Sequence, residues 1–365
     1  MRKLASIQRI WNVEPIEGAD NIELARVMGW QCVVKKGEFQ KGDLCVYYEI
    51  DSFLPMKPIY EFLRSSSFKH NDILGDGYRL KTQKFKGQIS QGLVLPLHMV
   101  LEDYSGILHS ALKLQIVEDP DSVLGRDLTE MLGVRLWVVE ERVTTDGTVI
   151  GEISSIGVPH TDETRIQSEP SLLEEFRGLP YYITTKMDGS SHSVSISEDG
   201  TFHVTGHNYE YRDDGKSAMY TLAKKLNVEA SMREYMAENN LSNMVIQGEL
   251  CAPGIQRNKL HLDRPHWYVF TVIEDGERMG LEELIRVCDA LRLEMVPLEE
   301  QGVDLPNVYP SIEDLLSRAS KNACGAYPGS PEGIVVRPCT PQYCKLINAP
   351  LSMKIINNKY LLKNS

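Results

Sequence analysis

The sequence lacks the features that mark several large protein classes. The 365-residue chain has no run of about 18 apolar residues, and no apolar stretch of a signal peptide follows Met1-Arg-Lys-Leu. We therefore expect no membrane span and no export. No internal repeat or low-complexity tract is present, so neither a repeat protein nor a disordered one is expected.

Paired cysteines and an excess of basic residues are also missing. The seven cysteines are an odd number and include no Cys-X-X-Cys pair, which predicts reduced thiols in the cytoplasm. Lysine and arginine number 39 against 51 aspartates and glutamates, so the net charge is −12. A generally basic surface is excluded, and any binding of phosphate must come from local clusters. Hydrophobic content of 42% and a length sufficient for two domains indicate an ordinary globular protein.

The tetrapeptide Lys186-Met-Asp188-Gly189 stands between two stretches with strand character. Aromatic and β-branched residues fill 181–185, and alternation resumes over 192–196. The pattern predicts strand, tight loop, strand, with Gly189 allowing a turn or a close approach of the backbone to a ligand. Taken alone, the tetrapeptide is a weak signal.

Four later segments, in a fixed order, make the signal specific. They are Val245–Glu249, an apolar strand ending in a carboxylate, then Trp267–Val272, Glu332–Arg337 and Ser352–Lys354. Together with the tetrapeptide they resemble the covalent nucleotidyltransferases, which comprise RNA ligases, DNA ligases and mRNA-capping guanylyltransferases. The resemblance covers residues 170–365.

This resemblance implies covalent chemistry at Lys186. Its amine would attack the α-phosphate of ATP and form lysyl-AMP. A free lysine titrates near ~10.4, so attack at neutral pH needs nearby cations to lower the pKa, and Lys354 and a divalent metal are candidates. Asp188, Glu249 and Glu332 are hard oxygen donors suited to Mg²⁺ or Mn²⁺, held through water.

Other residues would bind the nucleotide. The resemblance places Phe270 against the purine, with Gly189 and the three carboxylates in the same site, and assigns Arg337 and Lys354 to the charge of the α-phosphate. The phrase around Arg165 and Gln167 resembles the entry segment of one ligase family, in which both side chains approach the nucleotide. Alternatively, that phrase is a capped loop joining two domains.

Three positions depart from the family pattern. Thr185 replaces a frequent glutamate before the lysine, His207 replaces an arginine, and Ile356 replaces a second lysine. These leave recognition of adenine and ribose open. The loop Gly254–Asn258 resembles a ligase loop in which Arg257 reaches a phosphate, or else is an exposed loop.

The amino-terminal region has a different pattern. Short strands separated by turns predict a small β-barrel, and Gly37–Tyr48 resembles a strand-turn-strand of an OB-fold. Near its end, basic residues interleave with Phe85 and form either a nucleic-acid face or a solvated hairpin. The strands are predicted at Leu4–Trp11, Ile22–Trp30, Cys32–Lys35, Leu44–Ile50, Tyr78–Leu80 and Leu93–Leu95, and the basic residues are Arg79, Lys81, Lys84 and Lys86.

We therefore expect an α+β protein with a β-barrel (OB-like) domain over 1–115, a linker over 116–160 and a nucleotidyltransferase domain of antiparallel sheets with flanking helices over 161–365. Helices are expected over 97–115, 172–177, 219–226, 228–239, 281–291 and 312–317. An OB domain placed before the transferase resembles the ATP-dependent RNA ligases that join 3′-OH and 5′-phosphate ends. RNA is then the partner and a monomer is expected. The alternatives are a DNA ligase, a GTP-using capping enzyme, or an RNA-binding protein on an inactive scaffold.

Overall fold

The chain folds into two units, each built mainly on antiparallel strands. A computed structural model describes residues 2–103, 112, 115–116, 118–137, 148–321 and 323–364. The units are Met1–Glu141 with Leu361–Ser365, and Arg142–Tyr360. Sheets and helices occur in the described parts of both, so the expected α+β class is confirmed. None of the helices in those ranges is long and apolar enough to cross a bilayer.

The first unit contains two sheets and a hairpin. One sheet has the order β10-β4-β1-β2-β3, the other has the order β11-β5-β7-β6, and β8 pairs with β9. The strands are β1 (Ala5–Pro15), β2 (Ile22–Val27), β3 (Trp30–Lys35), β4 (Leu44–Tyr48), β5 (Ser52–Pro55), β6 (Phe68–Asn71), β7 (Gly75–Arg79), β8 (Thr82–Phe85), β9 (Gln88–Gln91), β10 (Leu93–Pro96) and β11 (Arg135–Leu136).

A bulge in β1 curls the five-stranded sheet. The register with β2 shifts between Ile10 and Asn12, and such a bulge bends a strand and increases its twist. The concave side buries a core that includes Ile7, Val46 and Tyr78. This curled antiparallel sheet is the expected OB-like architecture.

Several boundaries in the first unit differ from the predicted ones. The second predicted strand, Ile22–Trp30, is wrong at its end, because Met28 adopts a left-handed φ of 50° and turns the chain into β3. The helix predicted over 97–115 is α2, Leu97–Asp103, and most of the remaining positions lie outside the described residues. A short helix α1 (Arg64–Ser67) and single 3₁₀ turns (Pro58–Leu63, Pro120–Val123) complete the described unit.

The second unit carries a large sheet and a smaller four-stranded sheet. The large sheet has the order β12-β16-β15-β14-β17-β18-β19, with β20 pairing in parallel with β18, and the smaller has the order β21-β13-β22-β25. The strands are β12 (Val149–Glu152), β13 (Pro180–Lys186), β14 (Ser190–Ile196), β15 (Phe202–Thr205), β16 (Tyr209–Tyr211), β17 (Met244–Cys251), β18 (His266–Glu274), β19 (Glu277–Arg278), β20 (Glu294–Met295), β21 (Leu298–Val303), β22 (Gly333–Pro338), β23 (Tyr343–Cys344), β24 (Ala349–Pro350) and β25 (Met353–Ile356).

Helices cover one face of each sheet in this unit. Against the large sheet, α5 buries Leu284, Val287 and Leu291 at helical spacing together with Val194 and Ile246. Against the smaller sheet, α7 begins at a capping box in which Ser311 and Asp314 bond each other's backbone N–H. The helices are α3 (Ala218–Lys225), α4 (Val228–Asn239), α5 (Leu281–Leu291), α6 (Leu305–Val308), α7 (Ile312–Ala319) and α8 (Asn358–Asn364), whose residues from Leu361 onward are grouped with the first unit, and 3₁₀ turns lie at Ile153–Ile156, Pro170–Phe176 and Gln256–Asn258.

Most of the predictions for this unit are confirmed by these bounds. The expected helices appear within two residues of their predicted ends, except that the segment expected over 172–177 is a 3₁₀ helix. All five sequence segments that carry the family resemblance contain or adjoin strands of the two sheets. A functional site is therefore expected on the sheet faces that the helices do not cover.

Candidate active site

The lysine of the tetrapeptide ends a strand of the smaller sheet. Lys186 is the last residue of β13 and pairs with Gly333, the first residue of β22. A Cβ on Gly333 would lie 2.1 Å from the carbonyl oxygen of Ile355 in β25, so only glycine fits there. This close strand packing places Glu332, immediately before β22, beside the lysine.

Lys186 is held by an ion pair. Its Nζ lies 2.8 Å from Glu332 Oε1, and the two side chains are 25% and 12% exposed. Burial alone would lower the pKa of Lys186, but Glu332, Glu249 and Asp188 outweigh it and raise the pKa. Protein groups alone thus keep Lys186 protonated. The lowering of its pKa that was expected from nearby cations therefore requires bound ligands.

Glu249 is oriented by the backbone of the tetrapeptide. It lies near the end of β17, and its Oε1 accepts the N–H of Gly189 at 2.9 Å. A Cβ on Gly189 would lie 2.3 Å from the carbonyl oxygen of Leu250, so the glycine is needed for close approach to a strand rather than to a ligand. Burial raises the pKa of Glu249 to about 7, with Lys186 opposing the shift and Glu332 adding to it.

Three residues that sequence reasoning missed surround Asp188. The amine of Lys259 contacts the Asp188 carboxylate and lies 3.0 Å from the hydroxyl of Tyr360. The hydroxyl of Tyr327 donates to the carbonyl oxygen of Lys186 at 3.1 Å. Lys259 directly follows the Gly254–Asn258 loop that the sequence singled out, but no sequence signal identified either tyrosine.

The donor set of the centre fits a hydrated divalent cation. Asp188, Glu249 and Glu332 all act electrostatically on Lys186, and Glu332 Oε2 is buried without a hydrogen-bond partner. Among the described residues, however, no three acidic, histidine or cysteine side chains converge for direct ligation. Two of the carboxylates are instead paired with lysine amines. The arrangement therefore suits outer-sphere binding better than a closed protein cage.

A second buried ion cluster lies beside Phe270. The guanidinium of Arg337 is 5.6 Å from the centroid of the Phe270 ring, donates to the Phe270 carbonyl oxygen, and lies 2.5 Å from Glu163 Oε1. Burial opposes ionisation of Glu163, but Arg337, Arg278 and a hydrogen bond from Ser352 lower its pKa to about 2. Arg337 is thus already paired with Glu163 within the protein, and the sequence did not predict this pair.

The entry segment lies along the last strand of the smaller sheet. Arg165 forms a parallel β-bridge with Lys354, whose N–H donates to the Thr164 carbonyl oxygen at 2.8 Å. Gln167 is 1% exposed, and both atoms of its amide are buried without hydrogen-bond partners. The structure therefore places Arg165 beside Lys354 and leaves unused polar capacity at Gln167. The expected approach of Arg165 and Gln167 to the nucleotide stays a prediction.

Two of the departures from the family pattern have local explanations. Thr185 is 1% exposed, and its hydroxyl donates to Glu299 Oε1 at 2.6 Å, on the face of β13 opposite to Lys186. Its side chain therefore supports the sheet and does not face the lysine centre. His207 lies between β15 and β16, with its Nε2 3.6 Å from Asp162 Oδ2 and its ring centroid 5.8 Å from that of His160.

The four basic residues singled out in the first unit differ in exposure. Arg79 stacks over Trp137 at 4.9 Å and is half-buried, whereas Lys84 and Lys86 are exposed on the β8–β9 hairpin. Burial, together with the like charges of Arg79 and Lys69, lowers the pKa of Lys81. The unit therefore carries a local basic surface despite the acidic chain.

A lysine at the end of an interior strand with three carboxylates around it, in a chain that also has a unit of OB-like architecture, is the arrangement expected of a nucleotidyltransferase of the ligase class. Comparison with known proteins gives the family. Residues 4–97 match an OB-fold domain model and residues 179–355 match the RNA ligase model. The chain therefore carries an RNA ligase domain preceded by an OB-fold domain. A search of curated protein sequences found no match.

Solved structures of an RNA ligase from Naegleria gruberi are similar over the whole chain. The complex with pyrophosphate has a TM-score of 0.82 at 29% identity, covering 100% of this chain and 99% of that one. A mutant with AMP and Mn has a TM-score of 0.82 at 28% identity, with coverage of 100% and 99%. Another mutant, with ATP and Mn, has a TM-score of 0.80 at 29% identity, with coverage of 99% and 98%.

Proposed function

We propose that this protein is an ATP-dependent RNA ligase that joins 3′-OH and 5′-phosphate ends through a lysyl-AMP intermediate. The observation that carries the proposal is the position of Lys186, at the end of β13 and 2.8 Å from Glu332, with Glu249 and Asp188 around it. The ATP and Mn bound to the similar Naegleria ligase support the choice of nucleotide and metal.

The reaction proceeds in three steps. Lys186 loses a proton, and its amine attacks the α-phosphorus of ATP; an N–P bond forms while the bond to the bridging oxygen breaks and pyrophosphate leaves. The 5′-phosphate of RNA then attacks the same phosphorus, and AMP moves from the lysine to the RNA end. Attack by the 3′-OH on the adenylated end forms the phosphodiester and releases AMP.

The chain's own residues prepare the first step. Glu332 and the carbonyl contact from Tyr327 fix the end of β13, so the amine is presented from a rigid strand. Phe270 offers an aromatic face for the base, and Gln167 supplies unused amide groups for the nucleotide. Mg²⁺ or Mn²⁺, held through Asp188, Glu249 and Glu332, would neutralise phosphate charge.

The remaining site residues receive roles on the same basis. Lys354 and Arg165 flank the phosphates from β25 and the entry segment, which the β-bridge between them supports. Arg337 contributes positive potential to the α-phosphate while remaining paired with Glu163. Gly189 acts through its backbone, which orients Glu249.

The proposed division of labour between regions follows the sequence. Residues 1–115 form the RNA-binding OB-like domain, 116–160 join it to the transferase domain, and 161–365 carry the chemistry. The basic surface of Arg79, Lys81, Lys84 and Lys86 would hold RNA phosphates, since Lys84 and Lys86 are exposed beside Phe85. We propose that the protein is a monomer. We also propose that it lies in the cytoplasm, and this location is supported by seven cysteines that form no disulfide.

The function is tested by two experiments, one on the choice of nucleotide and one on the choice of polymer. Purified protein incubated with Mg²⁺ or Mn²⁺ and α-³²P-labelled ATP should become covalently labelled, whereas labelled GTP should not react. A nicked duplex with a 3′-terminal ribose should be sealed faster than the same nick with deoxyribose. Labelling by GTP, or a preference for deoxyribose, would contradict the assignment to RNA and ATP.

A further inference from the structure

The amine of Lys259 forms an ion pair with Asp188. The Lys259 amine contacts the Asp188 carboxylate and also lies 3.0 Å from the Tyr360 hydroxyl. The Asp188 side chain is 9% exposed and that of Lys259 is 23% exposed, so solvent screens this pair only partly.

The loop that presents Lys259 adopts a costly conformation. Gln256, Arg257 and Asn258 all have left-handed φ values, of 44°, 60° and 49°. Such backbone is unfavourable for non-glycine residues and persists only where the surroundings enforce it. A run of three such residues points to a position that the fold must hold.

Two side chains enforce this conformation. Asn258 Nδ2 donates to the Leu262 carbonyl oxygen at 2.8 Å, and its Oδ1 accepts the Leu262 N–H at 2.9 Å. Leu260, one residue after the lysine, is buried with Met187 and Tyr327 in a cluster under the tetrapeptide. Lys259 is therefore fixed on both sides, by a locked turn before it and an apolar anchor after it.

The ion pair between Lys259 and Asp188 affects how a metal can bind beside the nucleophile. Glu332 is paired with Lys186 and Asp188 with Lys259, so ammonium groups already neutralise two of the three carboxylates that would hold the metal. A divalent cation entering the site must compete with these amines. Lys186 is itself the nucleophile and must stay in place. Lys259 is therefore the cation that can release its carboxylate to the metal without removing the reacting group.

We propose that Lys259 is a positioning residue of the active site: it holds Asp188 while no metal is bound and yields it to the divalent cation. This inference rests on the proposed function only in taking Asp188 as part of the metal site. The contact then sets the metal concentration at which the site fills.

Metal affinity tests the proposal without any catalysis. The full-length protein is titrated with Mn²⁺ alone, and free Mn²⁺ is followed by electron paramagnetic resonance at fixed pH and ionic strength. Lys259→Met should bind Mn²⁺ roughly tenfold more tightly than the wild type, because one charge-assisted contact no longer competes. Lys259→Arg, which keeps the cation, should stay close to the wild type.

A matched control removes the same charge elsewhere. Lys225 is exposed at the end of α3, and Lys225→Met should leave Mn²⁺ binding unchanged. If Lys259→Met does not fold, Lys259→Gln provides the same comparison with a neutral polar side chain. Equal or weaker Mn²⁺ binding in the neutral variants would overturn the proposal.

Failure of this proposal can be distinguished from failure of the proposed function. Wild-type protein that labels with ATP while Lys259→Met shows no gain in Mn²⁺ affinity would overturn the role of Lys259 and leave the ligase assignment intact. Tighter Mn²⁺ binding by Lys259→Met in a protein that ATP never labels would support the role of Lys259 and contradict the ligase assignment.

Discussion

Two buried ion clusters in the second unit have opposite charge balance. The centre at Lys186 contains two amines, those of Lys186 and Lys259, against three carboxylates. The cluster at Glu163 contains one carboxylate against the guanidinium groups of Arg337 and Arg278.

The buried glutamates respond in opposite directions. The pKa of Glu249 rises to about 7 in the acid-rich centre, while that of Glu163 falls to about 2 in the base-rich cluster. An acid-rich site suits a divalent cation, whereas a base-rich cluster is suited to stabilise itself or an anion. The comparison supports the metal binding proposed for the acid-rich centre and a mainly structural role for the base-rich cluster.

The largest expected effect comes from truncating the acid-rich centre. Asp188→Ala, Glu249→Ala and Glu332→Ala should each slow RNA sealing by about 100-fold or more, because the carboxylates place the metal. Single-turnover sealing of a labelled nick measures the decrease. Glu175→Ala, an exposed carboxylate on a 3₁₀ turn, is the control. Near wild-type rates in all three variants, or full activity in EDTA, would contradict a role for the metal in sealing.

The base-rich cluster should show its effect in stability. Glu163→Gln should lower the free energy of unfolding by about 3 kcal/mol at pH 7, because it leaves two buried guanidinium groups without their carboxylate. Since the folded pKa of Glu163 lies near 2, below its usual 4.5, its contribution is complete above about pH 4.5 and is lost as the pH falls toward 2.

Urea unfolding at several pH values measures this contribution. The difference between wild type and Glu163→Gln should shrink steadily below pH 4.5, while the exposed control Glu175→Gln should show almost no difference at any pH. A gap between wild type and Glu163→Gln that stays constant with pH would show that the ion pair is not its source.

How much of this could be predicted from the sequence depends on whether a residue stands in a recognisable sequence pattern. The family resemblance carried by the five segments predicted that Lys186, Asp188, Glu249 and Glu332 converge, each in or next to a segment with a recognisable strand pattern. Lys259 contacts Asp188 across 71 residues and Tyr327 contacts Lys186 across 141, and neither stands in a periodic pattern. Such contacts depend on loop geometry, which local propensity does not specify.

The electrostatics of the site were also beyond the sequence. Glu163 and Arg337 are 174 residues apart, so nothing local indicated that the arginine is already paired. The direction of the Lys186 pKa likewise depends on how many carboxylates surround it before a ligand binds. The curled sheet of the first unit was predictable from turn spacing, whereas the four-residue strands β5, β6, β8 and β9 were not predicted.

The smallest expected effect per residue lies in the first unit. Lys84→Ala and Lys86→Ala should each weaken RNA binding and flatten its salt dependence by a log–log slope of roughly 0.7 to 0.9 for each RNA phosphate that is no longer neutralised. Formation of lysyl-AMP should be unchanged in both, because ATP does not need the RNA surface. Deleting residues 1–115 should likewise impair sealing far more than lysyl-AMP formation. Equal impairment of both steps would mean that this region supports the fold rather than RNA binding.

The most direct test of the central claim is the location of the covalent AMP. After incubation with ATP and Mn²⁺, peptide mapping by mass spectrometry should find one AMP on Lys186, and Lys186→Arg should carry none while melting at the wild-type temperature. AMP on Lys259 or Lys354, the other lysines placed in this site, or continued modification of Lys186→Arg, would contradict the assignment of Lys186 as the nucleophile.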